Sequence, residues 1–531
     1  MSNTIKFGIS TIVSLFLAWL IYYLMLPAMN IASPGTYFYL ITVGVIFAIA
    51  FAIAGASDEI YIPSIVFAGI TVLLVVILIV GAIIGSTLAS SSIYQSRLNV
   101  ETTTFEAEIP EVDWNTVPQI DKASSSILGN RKMGTLTNEI SQYNVMENYT
   151  QINYGEKPVR VSPLGYAGFF KYMNNKHSGI PGYIIVNGVS KEAEFVRLEK
   201  GMQYSPSAYF SKDLTRYLRR NFRGTLFGEF SFEVDDNGKP YYIVPTYKYA
   251  AGIGGAKTPT GCILVDPVNG DLERFDMDNI PNWIDHSIEA TTAVEMIDSW
   301  GMYQNGFWNT HFGQKNVRKS TEGYNYVTID NDVYLYTGIT SVVQDESNIG
   351  FMMVNMRTGK AKYFDMPSAE EYSAMDSAKG QVQHLNYTST FPILINVNGV
   401  PTYFLSLKDA AGLVKMYAFV SVENIQILSV TDASLGVEHG MNEYLKAVNT
   451  DASASNTQKN EMVTTTITVS EIYTASIEGN SYYYIVSSTG ELYIASINTG
   501  KQYLPLLKVG DTLTISCYKT SNYYDVTSVT K

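Results

Sequence analysis

Three apolar runs at the start of the chain leave little freedom in how it begins: Ile5–Leu26, Tyr37–Ala56 and Ser64–Ala89. Each supplies the roughly 20 residues that a helix needs to cross bilayer hydrocarbon. None carries a charge inside it, and Lys6 stands at the head of the first. Soluble core helices are rarely apolar on every face for that length. Pro27, Pro34 and Pro63 fall between the runs or at their edges, where proline disturbs a helix least. Trp19, Tyr22 and Tyr23 lie near one end of the first run, and Tyr37 and Tyr39 open the second, a placement that suits the membrane interface. A cleaved leader would be shorter and end in small residues, whereas Tyr22–Leu26 is bulky. Residues 1–92 are therefore expected to form a three-helix transmembrane anchor. A pore would need polar groups within the spans, and only Ser, Thr and Tyr are present. Gly69, Gly81 and Gly85 are expected to let the helices pack closely.

Three spans put the two ends of the chain on opposite sides. Lys6 favours a cytoplasmic start, so the large C-terminal region is expected to be extracytoplasmic, at the plasma membrane. The Ser57–Pro63 loop holds Asp58 and Glu59 and no Lys or Arg. The chain has 531 residues and a net charge of −13, nearly all of it beyond the spans. An acidic exposed region argues against a nucleic-acid partner, which requires a basic face. Cys262 and Cys517 are too few and too far apart for a disulfide framework and read as small buried hydrophobes.

Beyond the spans, residues 93–142 begin Ser/Thr-rich and read as a stalk or connector. Within them, Asp121–Gly134 is expected to be an exposed turn carrying Arg131 and Lys132. Residues 143–448 then read as about four α+β units. Glu229–Val244 (EFSFEVDDNGKPYYIV), Tyr326–Tyr336 (YVTIDNDVYLY) and Phe391–Leu405 (FPILINVNGVPTYFL) each place an Asp/Asn/Gly turn between period-two runs, the signature of a hairpin. A second hairpin follows in each unit: Gly182–Phe195, Gly261–Phe275 (GCILVDPVNGDLERF), Gly350–Phe364 and Met416–Ile427. The position of Asp266 is taken by Asn187, Asn355 and Ser421, all turn formers. Helical patterns come next, at Ser211–Phe222, Ile284–Trp300, Pro367–Ala378 and His439–Val448. Ser368 and Glu371 stand at capping-box spacing. Units this long and irregular suit serial antiparallel sheets, each covered by the helix that follows it.

The carrying residues Asp235, Gly238, Pro240, Tyr241, Tyr242, Val265, Asp266, Gly270 and Phe275 resemble the PepSY-type repeat. Asn398, Gly399, Pro401 and Tyr403 keep part of the pattern in one other unit, and Asn355, Gly359 and Phe364 in another. The likeness covers residues 150–446 and implies non-catalytic binding or regulatory modules at the cell surface. The chain as a whole is similar to large membrane-anchored proteins of Gram-positive bacteria, which implies no function.

Residues 449–460 (NTDASASNTQKN) read as a polar linker. Residues 461–531 read as five strands, the first long, resembling a small barrel of the OB-fold type. Tyr482, Tyr483, Tyr484 and Tyr493 would make a base-stacking platform, but residues 457–531 hold five basic and six acidic groups, so strand packing is the expected role.

No assembled catalytic set emerges. Gly252–Thr258 (GIGGAKT) lacks the spacing of a phosphate loop and joins two strands, so it reads as a mobile hairpin loop. Asp285 and His286 with Glu289, and His311 from a nearby loop, offer an acid/base pair or metal site only if the fold gathers them. Gly301–Phe312 (GMYQNGFWNTHF) is the densest aromatic segment outside the spans. No catalytic residue, cofactor or metal is assigned. The expectation is an integral membrane protein that binds or scaffolds a protein partner outside the cell and is not an enzyme. The alternatives are an envelope enzyme with a site between units, using His286 or His311, and a subunit of a larger membrane assembly.

Overall fold

The computed structural model describes residues 3–55, 62–342, 344–451, 462–477, 480–519 and 523–530. Asp58, Glu59 and most of the expected linker lie outside them. The fold mixes three long apolar N-terminal helices, four largely antiparallel sheets and a closed five-stranded barrel. It divides into two compact units. The first holds residues 1–103, 125–345 and 349–365, and the second holds 104–124, 346–348 and 366–531.

In the first unit, α1 (Asn3–Met25), α2 (Pro34–Gly55) and α3 (Ile62–Gly85) are long and apolar enough to cross a membrane. Phe47 and Phe51 of α2 stack on Phe67 of α3 at 4.8 and 5.7 Å. Gly44 lies against Thr71, where a Cβ would overlap its hydroxyl. The expected packing glycines behave differently. Gly69 faces open space, while Gly81 and Gly85 receive the Gly252–Gly255 turn. That turn is seated, not mobile. Ile253 N–H donates to Gly81 O and Gly254 N–H to Ala32 O, both at 2.9 Å. It thus grips the end of α3 and the approach to α2. The third span stops at Gly85, short of Ala89, because Ser86 is extended and α4 (Thr87–Gln95) begins anew.

A second clamp is the helix Leu214–Asn221, capped by Asp213, which accepts Arg216 N–H at 2.8 Å. Its Arg216 donates to Tyr23 O at 2.7 Å and stacks on the Tyr23 ring at 3.8 Å. Arg219 is buried and donates to the carbonyls of Leu26, Phe222, Arg223 and Thr225. Tyr23 O, in the last turn of α1 where carbonyls lack partners within the helix, and Leu26 O just past it thereby receive donors from the Leu214–Asn221 helix.

The four sheets share one strand order. Each is a three-stranded meander, with two shorter strands paired to the free side of its first strand. The meanders are Lys157–Tyr166, Ile180–Asn187 and Ala193–Met202; Pro240–Ala251, Gly255–Val265 and Leu272–Asp276; Asp332–Ser341, Gln344–Asn355 and Ala361–Ala369; and Val400–Lys408, Val414–Ser421 and Leu428–Asp432. The turn formers act alike. Asp266 accepts the N–H groups of Val268 and Asn269, Asn187 those of Val189 and Ser190, and Asn355 those of Arg357 and Thr358.

Two helices cover a different sheet from the one expected, while the helix Val437–Asp451 lies on the fourth sheet, the one it follows, with Tyr444 against Phe419. Ala290–Met302 follows the second sheet but packs Ala293, Met296 and Ile297 into the core of the third, with Leu335, Met352 and Val354. Glu371–Gln381 follows the third sheet and packs on the fourth. Ser368 makes no capping box, because it belongs to the strand Ala361–Ala369 and Glu370 takes the cap position.

The expected connector is folded as well. Val100–Thr103 adds a parallel edge strand to the third sheet. In the second unit, Trp114 meets Phe404 and Phe419 edge-on at 5.1 and 5.6 Å, and Gln119 Oε1 accepts the Tyr417 hydroxyl at 2.6 Å. Asp121–Gly134 is not a turn: Lys122–Gly134 is helical. The barrel closes in the order first, second, third, fifth, fourth strand. Val463–Ile477 is long enough to pair with two neighbours, kinking where the register shifts between Val469 and Glu471. Cys517 and Tyr493 lie in its core, and Cys262 is equally buried in the second sheet.

Candidate functional site

The sequence nominates Asp285, His286, Glu289 and His311, and the fold separates them. Glu289 turns away to Lys257, whose ammonium lies 2.5 Å from its carboxylate and 4.0 Å from the Tyr247 ring. Burial raises the Glu289 pKa, but Lys257 and the Glu229 N–H outweigh it and hold the carboxyl below the usual range. His311 is exposed, against Phe307.

Asp285 and His286 instead meet Glu233, a residue that no motif in the sequence marks. On the strand Ser231–Val234, side chains alternate between faces, so Phe232 and Val234 share one face and Ser231 and Glu233 the other. Glu233 is fully buried. Its carboxylate accepts Asp285 N–H at 2.8 Å, His286 N–H at 3.0 Å and the Ser231 hydroxyl at 3.0 Å. Asp285 accepts Asn153 N–H at 2.7 Å, and His286 Nε2 donates to Gln151 O at 2.6 Å. The next residue, Ser287, donates its hydroxyl to Arg357 O at 2.7 Å. Three consecutive residues thus tie the first, second and third sheets together.

Burial dominates the electrostatics. It pushes the Glu233 carboxyl up to about 7 against the three donors that favour its anion. Burial and the neighbouring Glu233 raise Asp285 well above the carboxylate range. Burial lowers His286 to about 4, so the ring is neutral at pH 7 and carries its proton on Nε2. Such shifts often mark functional sites. Here the groups are closed in, with Glu233 0%, Asp285 2% and His286 7% exposed, and their geometry is that of a joint between sheets.

Beside the joint lies an open cleft of about 410 Å³, lined by Met146, Pro163, Pro206, Phe230, Phe232 and Tyr242, with Asn148 and Glu229 adding polar groups. Phe232 N–H reaches Thr150 Oγ1, and Asn148 donates to Phe230 O, so first-sheet and second-sheet residues build one wall.

A separate cluster in the second unit joins the helix Val437–Asp451 to the barrel. His439 Nδ1 lies 3.0 Å from Asp525 Oδ1, and the ligand atoms of His439, Glu443 and Asp525 fall within 4.8 Å of one another, close enough to hold a metal ion. Lys446 enters the same space, 2.6 Å from Glu443 and 3.6 Å from Asp525. Its ammonium stands where a cation would, facing both carboxylates.

These features define a mixed α/β protein with three membrane-type helices, a buried polar joint and an apolar cleft. No family model matches the chain, and no curated protein does. Among solved structures, a Trypanosoma rangeli sialidase in complex with 2,3-difluorosialic acid aligns at 8% identity and a TM-score of 0.13, over 72% of this chain. The chain spans about half (53%) of that sialidase's length, and a likeness so low carries no argument.

Proposed function

We propose that this is a membrane-anchored extracytoplasmic protein that binds a protein partner and does no chemistry, its sheets being PepSY-like modules and its barrel of OB type. One contrast carries the reading. The groups suited to acid/base work are enclosed in the joint, while the open concavity beside it is apolar, as ligand pockets mostly are. The cleft takes an apolar side chain of the partner, with Asn148 and Glu229 as polar contacts. The barrel order, in which the first strand pairs with both the second and the fourth, supports the OB likeness.

The test is a cross-linked pull-down from solubilised membranes with wild type and Phe230→Glu. A partner retained by wild type and lost with Phe230→Glu supports the reading; equal recovery overturns the cleft as its site. Protease digestion of the C-terminal region in intact cells supports the orientation, and digestion only after lysis overturns it.

A further inference from the structure

Outside the spans, large exposed aromatic side chains gather in two places in the first unit. One joins the helix Phe169–Asn175 to the segment before Leu214. Phe169 touches Phe170 at 5.6 Å, Tyr209 at 5.2 Å and Phe210 at 6.1 Å, and Phe170 and Phe210 are 77% and 53% exposed. Phe210 is held at φ 56°, where a bulky residue is seldom found. The other is the Gly306–Gly313 segment. There Trp308 and Phe312 stack at 5.8 Å while 64% and 79% exposed.

Both patches are tied to the same ends of the membrane helices. Phe210 is six residues from Arg216, which is bonded to Tyr23 in the last turn of α1, so at most about 23 Å of chain separates them. Gly306–Trp308 packs against α4, which begins two residues after α3 ends and is no longer than about 14 Å. Between them in sequence lies a basic run, Arg216, Arg219, Arg220 and Arg223, in a chain that is acidic overall. Arg216 and Arg219 hold α1, and Arg220 and Arg223 are exposed. Aromatic side chains beside exposed arginines match the headgroup layer of a bilayer, where rings sit among carbonyls and cations meet phosphate.

We infer that Phe169, Phe170 and Phe210 on one side, and Trp308 and Phe312 on the other, are interfacial anchors. They insert into the leaflet that surrounds the α1 C-terminus and the α3 C-terminus, with Arg220 and Arg223 on anionic headgroups. The occupant of both patches is lipid. The inference rests on α1–α3 spanning a bilayer and on nothing in the proposed binding role.

Both native cysteines are buried, so an introduced surface cysteine can be spin-labelled alone. The full chain is placed in nanodiscs of phosphatidylcholine and phosphatidylglycerol, labelled in turn at Val76→Cys on α3, Phe170→Cys and Phe312→Cys. Collision rates are measured with oxygen, which favours lipid, and with a water-soluble nickel chelate. Val76 is the internal reference. The expected result is an oxygen-dominated label at all three positions, with Phe170 and Phe312 shallower than Val76, and loss of that character at Phe170 on adding Arg220→Glu and Arg223→Glu. A lipid-like Val76 with a nickel-accessible label at either aromatic site overturns the inference and leaves that patch to a protein partner. A nickel-accessible Val76 overturns the spanning helices themselves and the inference with them.

Discussion

Glu233 accepts the backbone N–H of Asp285 at 2.8 Å while the two side-chain carboxyls are buried side by side. Burial disfavours the ionisation of both, and the neighbouring Glu233 adds to the effect on Asp285. The folded state therefore holds a Glu233 proton that the unfolded chain releases near 4.5. A raised folded pKa gives stability that is present below the unfolded value and is lost as pH rises through about 7. His286 works in the opposite sense: its folded pKa of about 4 lies below 6.5, so its contribution is lost as pH falls through that interval. Glu233→Gln removes the Glu233 part of the first trend, leaves the part that burial of Asp285 contributes, and keeps the second. The wild-type stability relative to Glu233→Gln should fall by on the order of 1–2 kcal/mol between about pH 5 and pH 8, read by denaturant unfolding in detergent. Parallel pH profiles would count against the pair.

Arg219 supplies donors to four carbonyls, one of them at the end of α1. Arg219→Ala leaves those acceptors without it in a buried setting, at a cost of about 2–4 kcal/mol. Arg219→Lys should recover only part, since one ammonium cannot reproduce the planar fork. Proteolysis between Tyr209 and Gly224 should quicken in both variants, more in Arg219→Ala.

The His439–Asp525 contact fastens the helix Val437–Asp451 to the barrel across residues outside the described set. Asp525→Ala takes from His439 its carboxylate partner and leaves Lys446 to Glu443, and breaking a buried pair costs about 3 kcal/mol. The barrel should then melt separately from the preceding sheet. Because Lys446 fills the cation position, chelation should leave the wild-type melting temperature unchanged. A shift with EDTA that zinc reverses would assign a metal to the cluster instead.

Trp114 meets two rings of the fourth sheet from a stretch whose composition suggests a loose stalk. Trp114→Ala should destabilise the second unit by about 3 kcal/mol. A loss below about 0.5 kcal/mol, within the range of surface changes, would return residues 104–120 to the status of a connector.

The spans were legible because a charge-free run of more than 20 residues has essentially one fate in a membrane protein. The hairpins were legible because Asp266, Asn187 and Asn355 bond their own turns, a local act that a local pattern records. The partner of Val437–Asp451 was the sheet before it, but two other helix partners were not legible: the apolar face of Ala290–Met302 declares that something covers it and never which sheet. The joint was hidden for a similar reason. Glu233 lies 52 residues from Asp285, on a strand where alternation marks it as merely polar. The fate of Gly252–Gly255 needed its receptor, the bare backbone at Gly81 and Gly85, two glycines whose place in an apolar run suggests packing among helices instead.

That turn belongs to the long hairpin of the second sheet, Pro240–Ala251 and Gly255–Val265, and its tip is bonded to the main chain at Gly81 and Ala32. Main-chain bonds on both sides leave no rotatable side chain to absorb slack. The end of α3 and the hairpin tip are therefore one piece: neither can shift against the other without breaking main-chain hydrogen bonds at Gly81 and Ala32.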